Sequence, residues 1–215
     1  MQSQLTDLLS RHSWPAVVEQ ALHSRKTVRS LLKLLYHEDD YLHWLAADAI
    51  GRYGVALAVI DAEKTREFVR RLLWNLNEEC GASPWGSVEA IGAIAAVRTD
   101  LFAHYVSILF PFHEDESLAP GVIWTIVQVG RQLPTVAEEY EPFLIDSLLH
   151  PRAVIRGYAA WALGELKVLA GYENLEQLAG DDAVVHLYEM GGAYHEHSVA
   201  DVARRSREVL QKMRS

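Results

Sequence analysis

Cysteine is nearly absent from this chain of 215 residues. Cys80 is the only one, so no internal disulfide can form, which fits a reducing compartment. The first seven residues lack the basic start and apolar run of a secretory signal. Apolar stretches such as Ala90–Val97 are too short to cross a bilayer. We therefore expect a cytoplasmic protein that makes no use of a membrane.

Basic residues are also few, with 20 Lys and Arg against 29 Asp and Glu and a formal net charge of -9. Because this negative charge repels phosphate backbones, nucleic acid is not an expected partner. Neither G-x-G-x-x-G nor G-x-x-x-x-G-K occurs, so no nucleotide-phosphate loop is indicated. Glu78 and Glu79 disfavour the thiolate of Cys80, and no Ser-His-Asp arrangement follows from the spacing. We predict no catalytic residue and no cofactor.

An internal repeat is what the sequence does contain. The segment 156–166, RGYAAWALGEL, has looser copies at 42–53, 84–94 and 120–129. Aligning Asp48, Glu89, Trp124 and Trp161 gives spacings of 41, 35 and 37 residues. This period is typical of helical solenoids, in which each repeat is a pair of helices, A then B. We predict an all-α, right-handed α-solenoid forming a single domain over residues 1–215, with repeats at about 25–54, 64–98, 101–133 and 136–168.

Proline and glycine set the expected helix boundaries. The first A helix is predicted over Lys26–Tyr36, and its B helix is predicted to end at Gly54. Pro111 is predicted to close the third A helix, since a helix rarely continues through proline. Gly51, Gly92 and Gly164 occupy equivalent positions inside B helices. Glycine there costs about 1 kcal/mol relative to alanine, so these positions indicate close approach of a neighbouring helix.

The C-terminal part, residues 172–215, departs from the repeat. Residues 183–188 alternate and are β-prone, Met190-Gly-Gly192 signals a turn, and 193–197 can return antiparallel. A final helix carries several basic residues, which we interpret as a solvated face. We predict a small β-hairpin and a capping helix, since a solenoid needs a polar end.

The core Trp161–Leu166 resembles a HEAT-like repeat of the phycobilisome (PBS) lyase type, and Glu89–Ile94 matches it as well. The resemblance covers about residues 25–170 and implies an α-solenoid. Proteins with such repeats include bilin lyases, a di-iron hydroxylase, DNA glycosylases and many adaptors. The hydroxylase's His-Glu ligand pairs fall here on Trp44, Trp85, Pro120 or Gly157, so the resemblance does not extend to a di-iron site.

The B helices hold the candidate partner-binding residues. They combine tryptophan with polar side chains, a mixture suited to gripping a partner helix or peptide. The candidates are Trp44, Asp48, Trp85, Glu89, Trp124, Gln128 and Arg156. Alternatively, the indole rings fill the seams between repeats. For Trp44 and Trp85 the packing and the partner-binding interpretations are about equally supported, and for Trp161 packing is favoured.

The hairpin holds the densest group of histidines. Alternation predicts that His186, His195 and His197 share one face, where three imidazoles could bind zinc. The competing interpretation is an exposed hairpin whose histidines only form hydrogen bonds. The leading functional hypothesis is a non-catalytic scaffold or adaptor that binds another protein through its concave B-helix face. The alternative is a lyase-like or metal-dependent modifying protein built on the same repeats.

Overall fold

The protein is mostly helical, with one small antiparallel sheet of two strands near its C-terminus. A computed structural model describes residues 2–77 and 86–214. The predicted helical class, C-terminal hairpin and final helix are confirmed, while the solenoid arrangement stays a prediction. Contacts divide the chain into two compact units, Met1–Tyr105 with Glu189–Ala193 (unit 1) and Val106–Tyr188 with Tyr194–Ser215 (unit 2). A single repeat domain over the whole chain stays a prediction.

Twelve α-helices and two strands lie in the described residues. In chain order they are α1 Gln2–Ser10, α2 Trp14–His23, α3 Arg25–Leu34, α4 Asp40–Ile60, α5 Ala62–Asn77, α6 Ser87–Val97, α7 Thr99–Phe102, α8 Tyr105–Leu109, α9 Ala119–Gly130, α10 Pro134–Asp146, α11 Ala153–Glu165, β1 Val184–Glu189, β2 Ala193–Ser198 and α12 Val199–Arg214. Short 3₁₀ helices cover Phe110–Glu114, Ser147–Leu149, Leu169–Gly171 and Asn174–Leu178. No helix of the described ranges is both long and apolar enough to cross a membrane.

In unit 1, α4 and α6 run parallel and in close contact. Gly51 lies against Ala93, so that a methyl group at Gly51 would overlap the Ala93 side chain, and Gly54 lies against Ile94 in the same way. Every residue from His43 to Gly51 is buried. The predicted packing role of Gly51 is therefore confirmed. The predicted helix end at Gly54 is wrong: α4 continues to Ile60, because Gly54 serves close packing rather than a C-cap.

Unit 2 contains a second pair of parallel helices, α9 and α11. Arg152, just before α11, donates to the Glu116 carbonyl before α9 at 2.9 Å, while Gly130 at the end of α9 lies against Leu166 at the end of α11. Gly164 approaches α12 so closely that a Cβ there would lie 2.5 Å from Ser206 Oγ. The predicted end of the third A helix at Pro111 is confirmed: α8 ends at Leu109, and Pro111 lies in the first turn of the 3₁₀ helix Phe110–Glu114, where a missing N–H costs no hydrogen bond.

Candidate functional site

The predicted tryptophans lie in the interior. Trp44 is 6% exposed and Trp124 is 1% exposed, and Trp124 Nε1 donates to the Tyr188 carbonyl at 3.0 Å. Trp161 is 7% exposed, as expected for packing. Trp85 lies outside the described residues. In this structure the indoles of Trp44, Trp124 and Trp161 fill cores rather than offer a surface to a partner.

Asp48 is the centre of a polar network in unit 1. Its carboxylate accepts 2.7 Å hydrogen bonds from Arg52 Nε and from the backbone N–H of Gly191. Tyr41 donates its hydroxyl hydrogen to the Gly192 carbonyl at 3.1 Å. The Asp48 side chain is fully buried, and the charge of Arg52 together with the Gly191 N–H satisfies it. Asp48 thus holds the chain's own turn in the place where a partner segment was expected.

Glu89 lies in the first turn of α6 and is 3% exposed. Burial raises the pKa of Glu89 to about 8, opposed weakly by a hydrogen bond from its own backbone N–H. Its Oε2 atom has no hydrogen-bond partner among the described residues, and neither has the buried hydroxyl of Ser87. The carboxyl group is therefore neutral at pH 7. A buried neutral acid is a feature of functional sites.

Arg156 joins three parts of unit 2. Its Nε donates to Asp181 Oδ2 at 2.7 Å, and one terminal nitrogen donates to the carbonyls of His150 and Pro151, each at 2.7 Å. The guanidinium holds the pKa of Asp181 below its ordinary value. These internal bonds engage Nε and one terminal nitrogen of the guanidinium and tie Arg156 to its own unit.

The histidines of the hairpin do not share one face. His186 stacks on Tyr194 with ring centres 5.1 Å apart, and its Nε2 lies 3.4 Å from Glu196 Oε2. The rings of His195 and His197 lie 6.1 Å apart on the other face. Within the described ranges, no group of three or more His, Cys, Asp or Glu side chains is arranged to hold a metal ion.

The length of the loop explains this difference. Three residues, Met190, Gly191 and Gly192, separate β1 from β2, and both glycines have positive φ. With a loop of three residues, Glu189 lies opposite Ala193, and counting back along both strands places His186 opposite Glu196. The predicted common face of His186, His195 and His197 is therefore wrong, because a strand shifted by one residue turns every side chain to the opposite face.

Gln128 is hydrogen-bonded to Arg131, a residue that lines a cleft in unit 2 that the sequence did not reveal. Its Oε1 accepts a 3.3 Å hydrogen bond from Arg131, while its buried Nε2 has no partner among the described residues. Arg131 also pairs with Glu165, and its guanidinium lies 5.6 Å from the ring centre of Trp161. These contacts tie the C-terminal ends of α9 and α11 together.

The cleft beside this cluster has a volume of about 490 Å³ and is lined by the end of α9, the start of α10 and the segment after α11. Pro134, Ala137 and Leu169 supply apolar surface, and Leu169 is 44% exposed. Glu138 and Glu141, one turn apart on α10, place carboxylates in the lining. The residues that form it come from three separate segments, so repeat spacing alone could not identify the cleft.

Comparisons with known proteins support the fold but give no activity. No family model matches the chain. An uncharacterized protein of Archaeoglobus fulgidus is 28% identical over 168 residues, which cover 74% of this chain and 84% of the relative. The crystal structure of an engineered protein superposes with a TM-score of 0.57 at 17% identity, covering 98% of this chain and 90% of the other. At that identity the likeness concerns the fold alone.

Proposed function

We propose that this protein is a non-catalytic, protein-binding scaffold built on HEAT-like helical pairs in a right-handed α-solenoid. Two features support the repeat architecture: the 35 to 41-residue spacing of the B-helix motif and the parallel packing of B helices within each unit, α4 with α6 and α9 with α11. A cytoplasmic location belongs to the proposal and is supported by a chain with one cysteine.

The cleft of unit 2 is the observation that carries the scaffold function. Its volume of about 490 Å³ suits a short peptide segment with one or two anchoring side chains. Apolar walls favour an apolar anchor. Because Arg131 pairs with Glu165, the carboxylates of Glu138 and Glu141 outnumber the remaining cation of the lining, Lys167, and favour a cation next to the anchor. The proposed surface thus lies at the C-terminal ends of the B helices α9 and α11, not on their buried tryptophans.

The experiment is native mass spectrometry of tagged protein purified gently from its own cells. The test variant carries Glu138→Lys and Glu141→Lys. A matched control carries Glu19→Lys and Glu67→Lys, which make the same charge change at exposed positions in unit 1. We expect a stoichiometric protein partner with the wild type and the control, and loss of that partner with the cleft variant. Retention of the partner by the cleft variant would place binding elsewhere, and a bare chain in all three samples would refute the scaffold function.

A further inference from the structure

The outward face of α3 is strongly basic although the protein as a whole is acidic. Arg25, Lys26, Arg29 and Lys33 are all exposed. No carboxylate occurs between Glu19 and Glu38, whereas the whole chain has a net charge of -9. This concentration of positive charge is a local property of α3, because the composition alone predicts the opposite sign.

Helix geometry places these cations in one row. Arg25, Arg29 and Lys33 follow at intervals of four residues, so they line one face over about 12 Å. The opposite face buries Leu31 and Leu34, which fixes the orientation of the helix. The N-terminus of α3 is capped by the Ser24 hydroxyl, which accepts from the Thr27 backbone N–H at 3.3 Å. The basic face is therefore a preformed surface rather than a set of charges on a loose segment.

The four cations of this basic face have no ion-pair partner within residues 2–77 and 86–214. Other exposed cations do find carboxylates: Arg11 pairs with Asp7 at 3.0 Å, and Arg204 pairs with Asp201 at 2.9 Å. Like charges four residues apart on a helix repel one another. An anionic partner would offset this repulsion, and that relief would strengthen binding.

We infer that the basic face of α3 binds an acidic segment of a protein partner, such as a helix with carboxylates at i, i+4 and i+8. A short segment is favoured over a nucleic acid, because the exposed carboxylates of Glu38, Asp39 and Asp40 come shortly after the end of α3 at Leu34. Their negative charges repel a polyanion that extends past the C-terminal end of the face, since screening at physiological salt acts only over roughly 8 Å. A membrane is disfavoured because the apolar side chains Leu31 and Leu34 are directed into the core.

The probe is a fluorescein-labelled helical peptide with glutamate at i, i+4 and i+8, and fluorescence polarisation measures its binding to the full chain. In the test variant the four cations of the basic face are replaced by glutamine: Arg25→Gln, Lys26→Gln, Arg29→Gln and Lys33→Gln. The control variant removes four cations that have carboxylate partners: Arg11→Gln, Lys64→Gln, Arg98→Gln and Arg204→Gln. Both variants change the net charge equally, and circular dichroism checks that each is folded.

We expect the variant of the basic face to weaken peptide binding about tenfold or more, with little change in the control. The affinity should also fall as salt rises, since the contact is between exposed charges. Equal weakening in the two variants would mean general charge attraction and would overturn the inference, as would the absence of saturable binding. Tighter, α3-dependent binding of short duplex DNA or of anionic vesicles would overturn the protein-partner class. The outcome is independent of the cleft in unit 2, which neither variant alters.

Discussion

The buried Glu89 carboxyl gives the most quantitative prediction. Burial raises the pKa of this side chain from its ordinary value of 4.5 to about 8 in the folded protein. The folded state therefore binds a proton at Glu89 more tightly than the unfolded chain does. Its contribution to the free energy of unfolding is full below about pH 4.5 and is lost as the pH rises to about 8. At about 1.4 kcal/mol per pKa unit, the total loss is on the order of 5 kcal/mol.

The substitution Glu89→Gln removes the ionisable group but keeps a side chain of similar shape. We measure the free energy of unfolding by urea denaturation from pH 5 to 9. In the wild type it should decrease with rising pH as Glu89 ionises, and in this variant that decrease should be absent. Near pH 9 the variant is expected to be the more stable protein, because the wild type then buries an uncompensated carboxylate. The exposed Glu67→Gln serves as a control and should follow the wild-type profile. Parallel profiles for Glu89→Gln and the wild type would refute the reasoning.

Two further predictions concern the packing and the polar network of unit 1. Gly51→Ala is expected to lower the free energy of unfolding by about 1–3 kcal/mol, because the new methyl group overlaps Ala93. Adding Ala93→Gly should restore part of that loss in a double-mutant cycle, and a stabilised single variant would contradict close packing. Asp48→Asn should cost about 1–3 kcal/mol, since the buried acceptor loses its charge. Hydrogen exchange at the Gly191 amide should accelerate in this variant; unchanged protection would mean that Asp48 does not hold the turn.

Small-residue patterns predicted helix packing correctly. Gly51 and Gly164 each lie against a neighbouring helix, as their positions within alanine-rich segments indicate. The hairpin and the final helix also follow from local signals, the Met190-Gly-Gly192 turn and the change from alternation to helical spacing. The signals for these features are local in sequence, although the packing contacts themselves are not, which is why sequence alone was sufficient.

The exposed side of each B helix was harder to predict, because it depends on which sides of the helix are covered by neighbouring segments. The helices α4 and α9 are apolar around most of their circumference, so periodicity does not distinguish an inward Trp124 from an outward one. The bond from Gly191 to Asp48 joins residues 143 positions apart and leaves no local pattern. The register of the hairpin depends on one residue of loop length, which the turn signal leaves open.

The most direct test of the scaffold function is a hydrogen-exchange footprint of the purified complex. Amide exchange is compared between the free protein and the protein with its natural partner bound. We predict new protection within residues 130–141 and 165–169, the segments that supply the lining of the cleft in unit 2. Protection confined to other segments, with these residues unchanged, would contradict the assignment of the cleft as the partner-binding surface.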